Sequence, residues 1–151
     1  METEICEAMR ADLGRDMFLN FIAEVAFLEA SAKHDARNLE TWMKQTHEEI
    51  ELLLCPGSAF TKYEPMGVVG VFGSWNAPFV TTIKPLIQAI TAGNCVIVKP
   101  SEHSPASSAA IKKFTDTYLD PEFVFTIEGA VEVAVGINKL PLDLICFTGS
   151  T

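Results

Sequence analysis

The sequence predicts an α/β protein: a doubly wound parallel sheet preceded by N-terminal helices. Two observations predict it. First, charge is unevenly spread along the 151 residues: residues 1–64 carry 6 basic against 13 acidic side chains, whereas residues 65–151 carry 5 against 7. The first part therefore reads as exposed helices and the second as a buried core. Second, the later part holds four short, continuous apolar runs separated by helix-like stretches. Strands written as unbroken apolar runs are the mark of a parallel sheet buried on both faces.

In chain order, apolar residues recur at helical spacing over 2–32, with Met17, Phe18, Phe21, Ile22, Val25 and Leu28 as the stripe. Asp35 or Asn38 is placed to cap a second helix through Trp42 toward Ile50. Cys55-Pro56-Gly57-Ser58 is a break, and 59–63 is extended, in the manner of a short edge strand. This divides the chain into a helical segment, 1–58, and an α/β part, 59–151. The first buried run, 67–73, ends in glycine. A helix follows over 81–92, with Pro85 expected in its first turn, and Gly93-Asn94 stops it. Cys95–Lys99 is the second run. Pro105–Tyr118 is a helix with Ser104 as N-cap and Pro105 at its first position. Residues 123–127 form the third run, 131–138 a weak helix and Leu144–Phe147 the fourth run. Right-handed crossovers then give the doubly wound layer, and ligands of such sheets bind beyond the carboxyl ends of the strands. The informative residues are those just after each run: 74–78, 99–102, 128–130 and 149–151.

Composition excludes several function classes. A net charge of −9 and a pI near 4.7 argue against a nucleic-acid partner, since neutralising phosphates needs clustered Lys and Arg. No apolar run approaches the ~20 residues of a spanning helix. The acidic N-terminus lacks the basic and apolar regions of a secretory signal, so the expected location is cytoplasmic. The four cysteines, Cys6, Cys55, Cys95 and Cys146, are far apart, and no metal site is expected. Cys95 and Cys146 lie within apolar runs and read as buried thiols. His34, His47 and His103 have no metal-ligand spacing and are assigned no role. There is no Gly-x-Gly-x-x-Gly fingerprint and no P-loop.

Three segments could carry chemistry. Ser74-Trp75-Asn76-Ala77-Pro78 lies between a strand and a helix, where the neutral amide of Asn76 could stabilise an oxyanion; it equally suits a turn in which Trp75 packs. Lys99-Pro100-Ser101-Glu102 sets a cation and an anion about one spot, and a carboxylate there can accept hydrogen bonds from a ribose diol. A surface ion pair is the plainer alternative. Gly149-Ser150 follows the last strand and would suit a pyrophosphate-facing turn.

Taken together and in order, these segments resemble the aldehyde dehydrogenase superfamily, most nearly its class 3 and fatty aldehyde branch. The likeness is carried by Tyr63-Glu64-Pro65-Met66-Gly67, Gly73-Ser74-Trp75-Asn76-Ala77-Pro78-Phe79, Ala92-Gly93-Asn94-Cys95, Lys99-Pro100-Ser101-Glu102 and Phe147-Thr148-Gly149-Ser150-Thr151. The resemblance implies a partial Rossmann-like domain and the family reaction, NAD(P)-dependent oxidation of an aldehyde to an acid through a cysteine thiohemiacetal and thioester. It implies Asn76 as oxyanion donor. It places Lys99, Ser101 and Glu102 at the adenosine ribose, Gly149 and Ser150 at the phosphates, and Trp75 beside the cofactor. NAD is favoured slightly over NADP, because Glu102 repels a 2′-phosphate. A small aldehyde substrate and a homodimer are the implied partners. The sequence departs from the family in length and in lacking the downstream cysteine and glutamate motifs, so this chain is expected to be inactive alone. A non-catalytic NAD-binding or subunit-interaction module is the alternative, and a reductive relative that uses NADPH and an acyl phosphate is a third. Ala77 stands where the family usually has Tyr or Phe. Glu128-Gly129-Ala130 replaces a more neutral loop. A domain of four strands is also expected to leave an exposed edge and an uncovered sheet face.

Overall fold

The computed structural model describes residues 1–150. Helix α1 (Glu2–Leu13) ends at Gly14, whose φ of 65° allows its N–H to reach the Arg10 carbonyl. Helix α2 (Met17–Asn20) is capped by Asp16, whose carboxylate accepts from the Phe18 N–H at 2.9 Å. It runs through a π-helical turn, Phe21–Ala26, directly into α3 (Phe27–Trp42). Neither Asp35 nor Asn38 therefore caps a helix. Both lie inside α3, and Asn38 Nδ2 donates to the His34 carbonyl one turn back. The chain breaks instead at Gly14-Arg15-Asp16, where a left-handed glycine and an aspartate cap meet. Past Trp42 the structure is not helical toward Ile50. Strands β1 (Thr46–Glu48) and β2 (Ala59–Thr61) form a separate antiparallel pair.

The main sheet comprises β3 (Val68–Phe72), β4 (Cys95–Lys99), β5 (Val124–Thr126) and β6 (Leu144–Phe147), all parallel, in spatial order β5-β4-β3-β6. Between them run α4 (Pro78–Thr91), α5 (Pro105–Tyr118) and α6 (Val131–Ile137). The order steps outward from β3 to β4 to β5, then returns across the sheet to β6. The topology is thus the partial doubly wound, Rossmann-like sheet that the sequence predicts.

Helix α4 starts at Pro78, ahead of the expected residue 81. Pro85 consequently lies in mid-helix rather than in the first turn, where it cannot donate to the Thr81 carbonyl. An interior proline costs about 3 kcal/mol. Burying Phe79, Ile83 and Leu86 on the same helix contributes about 1.5–3 kcal/mol each, which outweighs it.

Side-chain alternation separates the two faces of the sheet. Val69 and Val71, Val96 and Val98, and Val124 and Thr126 are buried beneath the helices, and one core includes them together with Cys6, Met9 and Leu28 from the N-terminal helices. The opposite face carries the register row Phe125, Ile97, Gly70 and Ile145, of which Phe125 and Ile145 are exposed. The central strand β3 is buried on both faces from Val69 to Phe72, whereas the outer strands β5 and β6 expose Phe125 and Ile145 on the second face, and β6 forms an exposed edge. Cys95 and Cys146 are half-buried rather than buried, because one opens a strand and the other lies in this edge. No helix among the described residues is long and apolar enough to cross a membrane.

Two carboxylates from the N-terminal helices fasten this layer. Asp12 accepts from the N–H groups of Ala106 (3.1 Å) and Ser107 (2.7 Å) at the start of α5. It thus fills the capping role expected of Ser104, whose hydroxyl donates to the Ser101 carbonyl instead. Glu24, in the π-helical turn and 1% exposed, accepts from Phe79 N (2.9 Å) and Val80 N (3.1 Å) at the start of α4. Its other oxygen pairs with Arg15. Arg15 also donates to Asn20 Oδ1 at 2.6 Å, and Asn20 Nδ2 donates to the Cys6 carbonyl at 3.1 Å.

Removing a cap costs about 1 kcal/mol, whereas removing one partner of a buried ion pair costs about 3–5 kcal/mol. Asp12→Ala should therefore lower amide hydrogen-exchange protection mainly at residues 106–108. Glu24→Ala should lower it at 79–80 and across the core, to a larger extent. Equal effects would contradict this ranking.

Candidate functional site

Strand β3 has β4 on one side and β6 on the other, so consecutive connections leave it in opposite directions. A cleft opens where they part, at the carboxyl ends, with a volume of about 560 Å³. Its walls are the segments that follow β3, β4 and β6. Trp75, Asn76, Lys99, Ser101, Glu102, Gly149 and Ser150 all line it. The residues singled out from the sequence thus converge on one place.

The segment after β3 is held from both ends. The N–H of Gly73 donates to the Lys99 carbonyl at 3.0 Å, and a Cβ at this position would collide with Thr82 Oγ1 of α4. Glycine is therefore required for the helix to approach the strand end. Ser74 N donates to Thr81 Oγ1 at 2.9 Å, and Thr81 Oγ1 donates to the Ala77 carbonyl at 2.9 Å. Ser74 Oγ in turn donates to Asn76 Oδ1 at 2.6 Å. This bond engages the amide oxygen of Asn76 and leaves its NH₂ as the group offered to the cleft. Trp75 is 54% exposed beside it.

The segment after β4 supplies the charge. Lys99 is 5% exposed. Its Nζ donates to Glu102 Oε2 at 2.9 Å and to the Pro100 carbonyl at 3.2 Å. The Lys99 ammonium, more than any other group, holds the Glu102 carboxyl below its usual range, with its own backbone N–H and the nearby His103 adding to the effect. Ser101 Oγ accepts from the His103 N–H at 3.3 Å, which orders the turn. After β6, Thr148 N donates to the Phe72 carbonyl at 3.1 Å and continues the ladder. Gly149 and Ser150 then lie exposed at the cleft floor; Thr151 lies outside the described residues.

Some cleft residues have no role of their own in the sequence reading, among them Ser74, which orients Asn76; Phe147, whose ring packs 6.3 Å from that of Phe72; and His103. Adjacency to Lys99-Pro100-Ser101-Glu102 was the available signal for His103. The loop 128–130 is not brought into the cleft, because β5 is the outermost strand on the far side of β4. None of the four cysteines lines the cleft. Among the described residues no group of three metal-ligating side chains occurs.

A model of the aldehyde dehydrogenase family matches residues 2–151. Aldehyde dehydrogenase family 3 member H1 of Arabidopsis thaliana is 42% identical over 150 residues, covering 99% of this chain and 31% of the relative. Family 3 member A2 of Pongo abelii is 37% identical over the same shares. Among solved structures, the substrate-bound state of Staphylococcus aureus AldH is similar with a TM-score of 0.93 and 33% identity, over 95% of this chain and 31% of that one. The chain therefore spans less than a third of the length of these relatives.

The Lys99–Glu102 pair sets a pH expectation. A carboxyl whose folded pKa is depressed contributes stability above its unfolded value, and that contribution is lost as pH falls through the folded value. The pair should be intact above the ordinary carboxyl value of 4.5 and open only below it. Carbon-13 NMR of the Glu102 carboxyl should show a midpoint under 4.5 that moves up in Lys99→Met. A midpoint already at the ordinary value in the unaltered chain would contradict the pairing.

Proposed function

This chain belongs to the aldehyde dehydrogenase family, and we propose that its cleft holds the NAD(P) with which aldehydes are oxidised to carboxylic acids. The observation that carries this reading is the convergence of three strand exits on one cleft at the point where the strand order reverses, which is where dinucleotides bind in such sheets. The donor set suits the molecule. Glu102 can accept from both hydroxyls of a ribose, and Lys99 fixes the carboxylate for that task. Ser101 adds a hydroxyl beside them. Gly149, without a side chain, lets backbone approach a pyrophosphate, and Ser150 continues that turn. Trp75 offers an exposed ring to flank the cofactor. When bound, the oxidised nicotinamide supplies a hydride acceptor.

In this reading residues 59–151 are an incomplete nucleotide-binding part, and 1–58 are the helical segment that buttresses it. Asn76 Nδ2, pre-aligned by Ser74, donates to the oxygen that develops negative charge during attack on the aldehyde carbon. Among the described residues no cysteine lines the cleft. Cys6 lies on the buried face of α1, Cys55 lies in the β1–β2 connection, Cys95 opens β4 at the opposite end of the sheet, and Cys146 sits within β6. The 151-residue chain should accordingly bind cofactor without turning over aldehyde. Glu102 would favour NAD over NADP, since a carboxylate that accepts from ribose hydroxyls repels a 2′-phosphate.

Calorimetry with NAD should show binding that Glu102→Gln weakens about tenfold, because hydrogen bonds to a charged group are worth roughly 1.5–3 kcal/mol. Unchanged affinity in that variant would remove Glu102 from the ribose. Sustained aldehyde-dependent NADH formation by the purified chain would overturn the expectation that it does not turn over aldehyde.

A further inference from the structure

We propose that His103 is the residue that lets this cleft admit a 2′-phosphorylated adenosine, by donating from its imidazolium to the 2′-phosphate. The proposal rests on the cofactor reading above and concerns selectivity within the same site.

A 2′-phosphate set against Glu102 meets a carboxylate, and the cleft can tolerate it only if a cation is available nearby. Two basic residues line the cleft among those described, Lys99 and His103. Lys99 is not available. Its ammonium is buried and already engages Glu102 Oε2 and the Pro100 carbonyl. His103 is in the opposite situation. Its side chain is 73% exposed at the rim, and its Nε2 lies 3.9 Å from Glu102 Oε1. That oxygen is the one Lys99 leaves unused. The separation is too long for a hydrogen bond, so the imidazole stands beside the carboxylate without being tied to it, within reach of a further ligand. The backbone fixes the rest, because the His103 N–H donates to Ser101 Oγ and orders residues 101–103 as a turn. A group bound on the outer side of Glu102 therefore meets the exposed imidazole before it meets the buried Lys99 ammonium.

His103 could act in two ways that differ in chemistry. In the proposed one it contacts the phosphate. In the other it only offsets the Glu102 charge. A double-variant cycle separates them. Calorimetry on the chain near neutral pH, with NAD and with NADP as probes, should show that His103→Gln weakens NADP roughly tenfold, the worth of one charge-assisted hydrogen bond. NAD affinity should stay within about twofold, a difference well below that of one such bond. His103→Arg should restore NADP affinity. The same loss should persist when His103→Gln is made in the Glu102→Gln background, and the imidazole resonances of His103 should shift with NADP more than with NAD.

Equal effects on both nucleotides, or none on NADP, would overturn the proposal while leaving the cofactor site standing. So would a loss that vanishes in the Glu102→Gln background, or an unaltered chain that binds NAD and not NADP. An unaltered chain that binds neither nucleotide would overturn the cofactor reading and this proposal with it.

Discussion

The start of α4 is buried, and the first-turn N–H groups of a helix have no partners within it. Something must satisfy them, and in this fold it is the Glu24 carboxylate. A carboxylate with 1% exposure is itself untenable without a countercharge, and Arg15 supplies that charge. Arg15 is held in turn by Asn20, and Asn20 by the Cys6 carbonyl. One unmet requirement at a helix end thus dictates the arrangement of the N-terminal helices. It also dictates the site, since α4 begins immediately after the segment that carries Ser74, Trp75 and Asn76. If α4 were free to fray, Thr81 would no longer hold Ser74, and Ser74 would no longer orient Asn76.

The parallel sheet provides the second constraint. Alternation along β4 sends Val96 and Val98 into the core and Ile97 and Lys99 to the opposite face, in register with Gly70 and Phe72. Lys99 can therefore emerge at the strand exit while its stem stays buried. From there it reaches Glu102 three residues on, and the rigid Pro100 between them keeps the pair at the mouth of the cleft. Geometry of this kind fixes where a ligand's charged and hydroxyl groups can be met, and it leaves the reaction itself to whatever residues face the substrate.

The strands and the cleft residues were legible because their signals are local. A short apolar run bounded by glycine or proline reads as a buried strand wherever it occurs, and the residues after it fall at the strand's exit. The fastening of the helices was not legible. Asp12 and Glu24 look like any other acidic residue off the apolar stripe, and their partners lie 94 to 95 and 55 to 56 residues away. Asp35 and Asn38 have the chemistry of caps, yet the helix passes through them because the break had already occurred at Gly14. Ser104 was in the right place to cap α5 and was displaced by a carboxylate from another helix. Pro85 was misplaced by the same logic, since a tertiary partner let α4 begin earlier than its own sequence suggests. His103 has no pattern of its own beyond following Glu102 in the chain, and the distance of its ring from the carboxylate is set by the folded turn.

We propose that this chain meets a nicotinamide dinucleotide in the cleft at the carboxyl ends of β3, β4 and β6. An amide NMR map of the chain titrated with NAD tests it most directly. Shifts are expected at residues 73–76, 99–103 and 147–150 and nowhere else. Shifts centred instead on the second groove, of about 530 Å³ and lined by Trp42, Met43 and Tyr63, would contradict it, as would a spectrum that saturating NAD leaves unchanged.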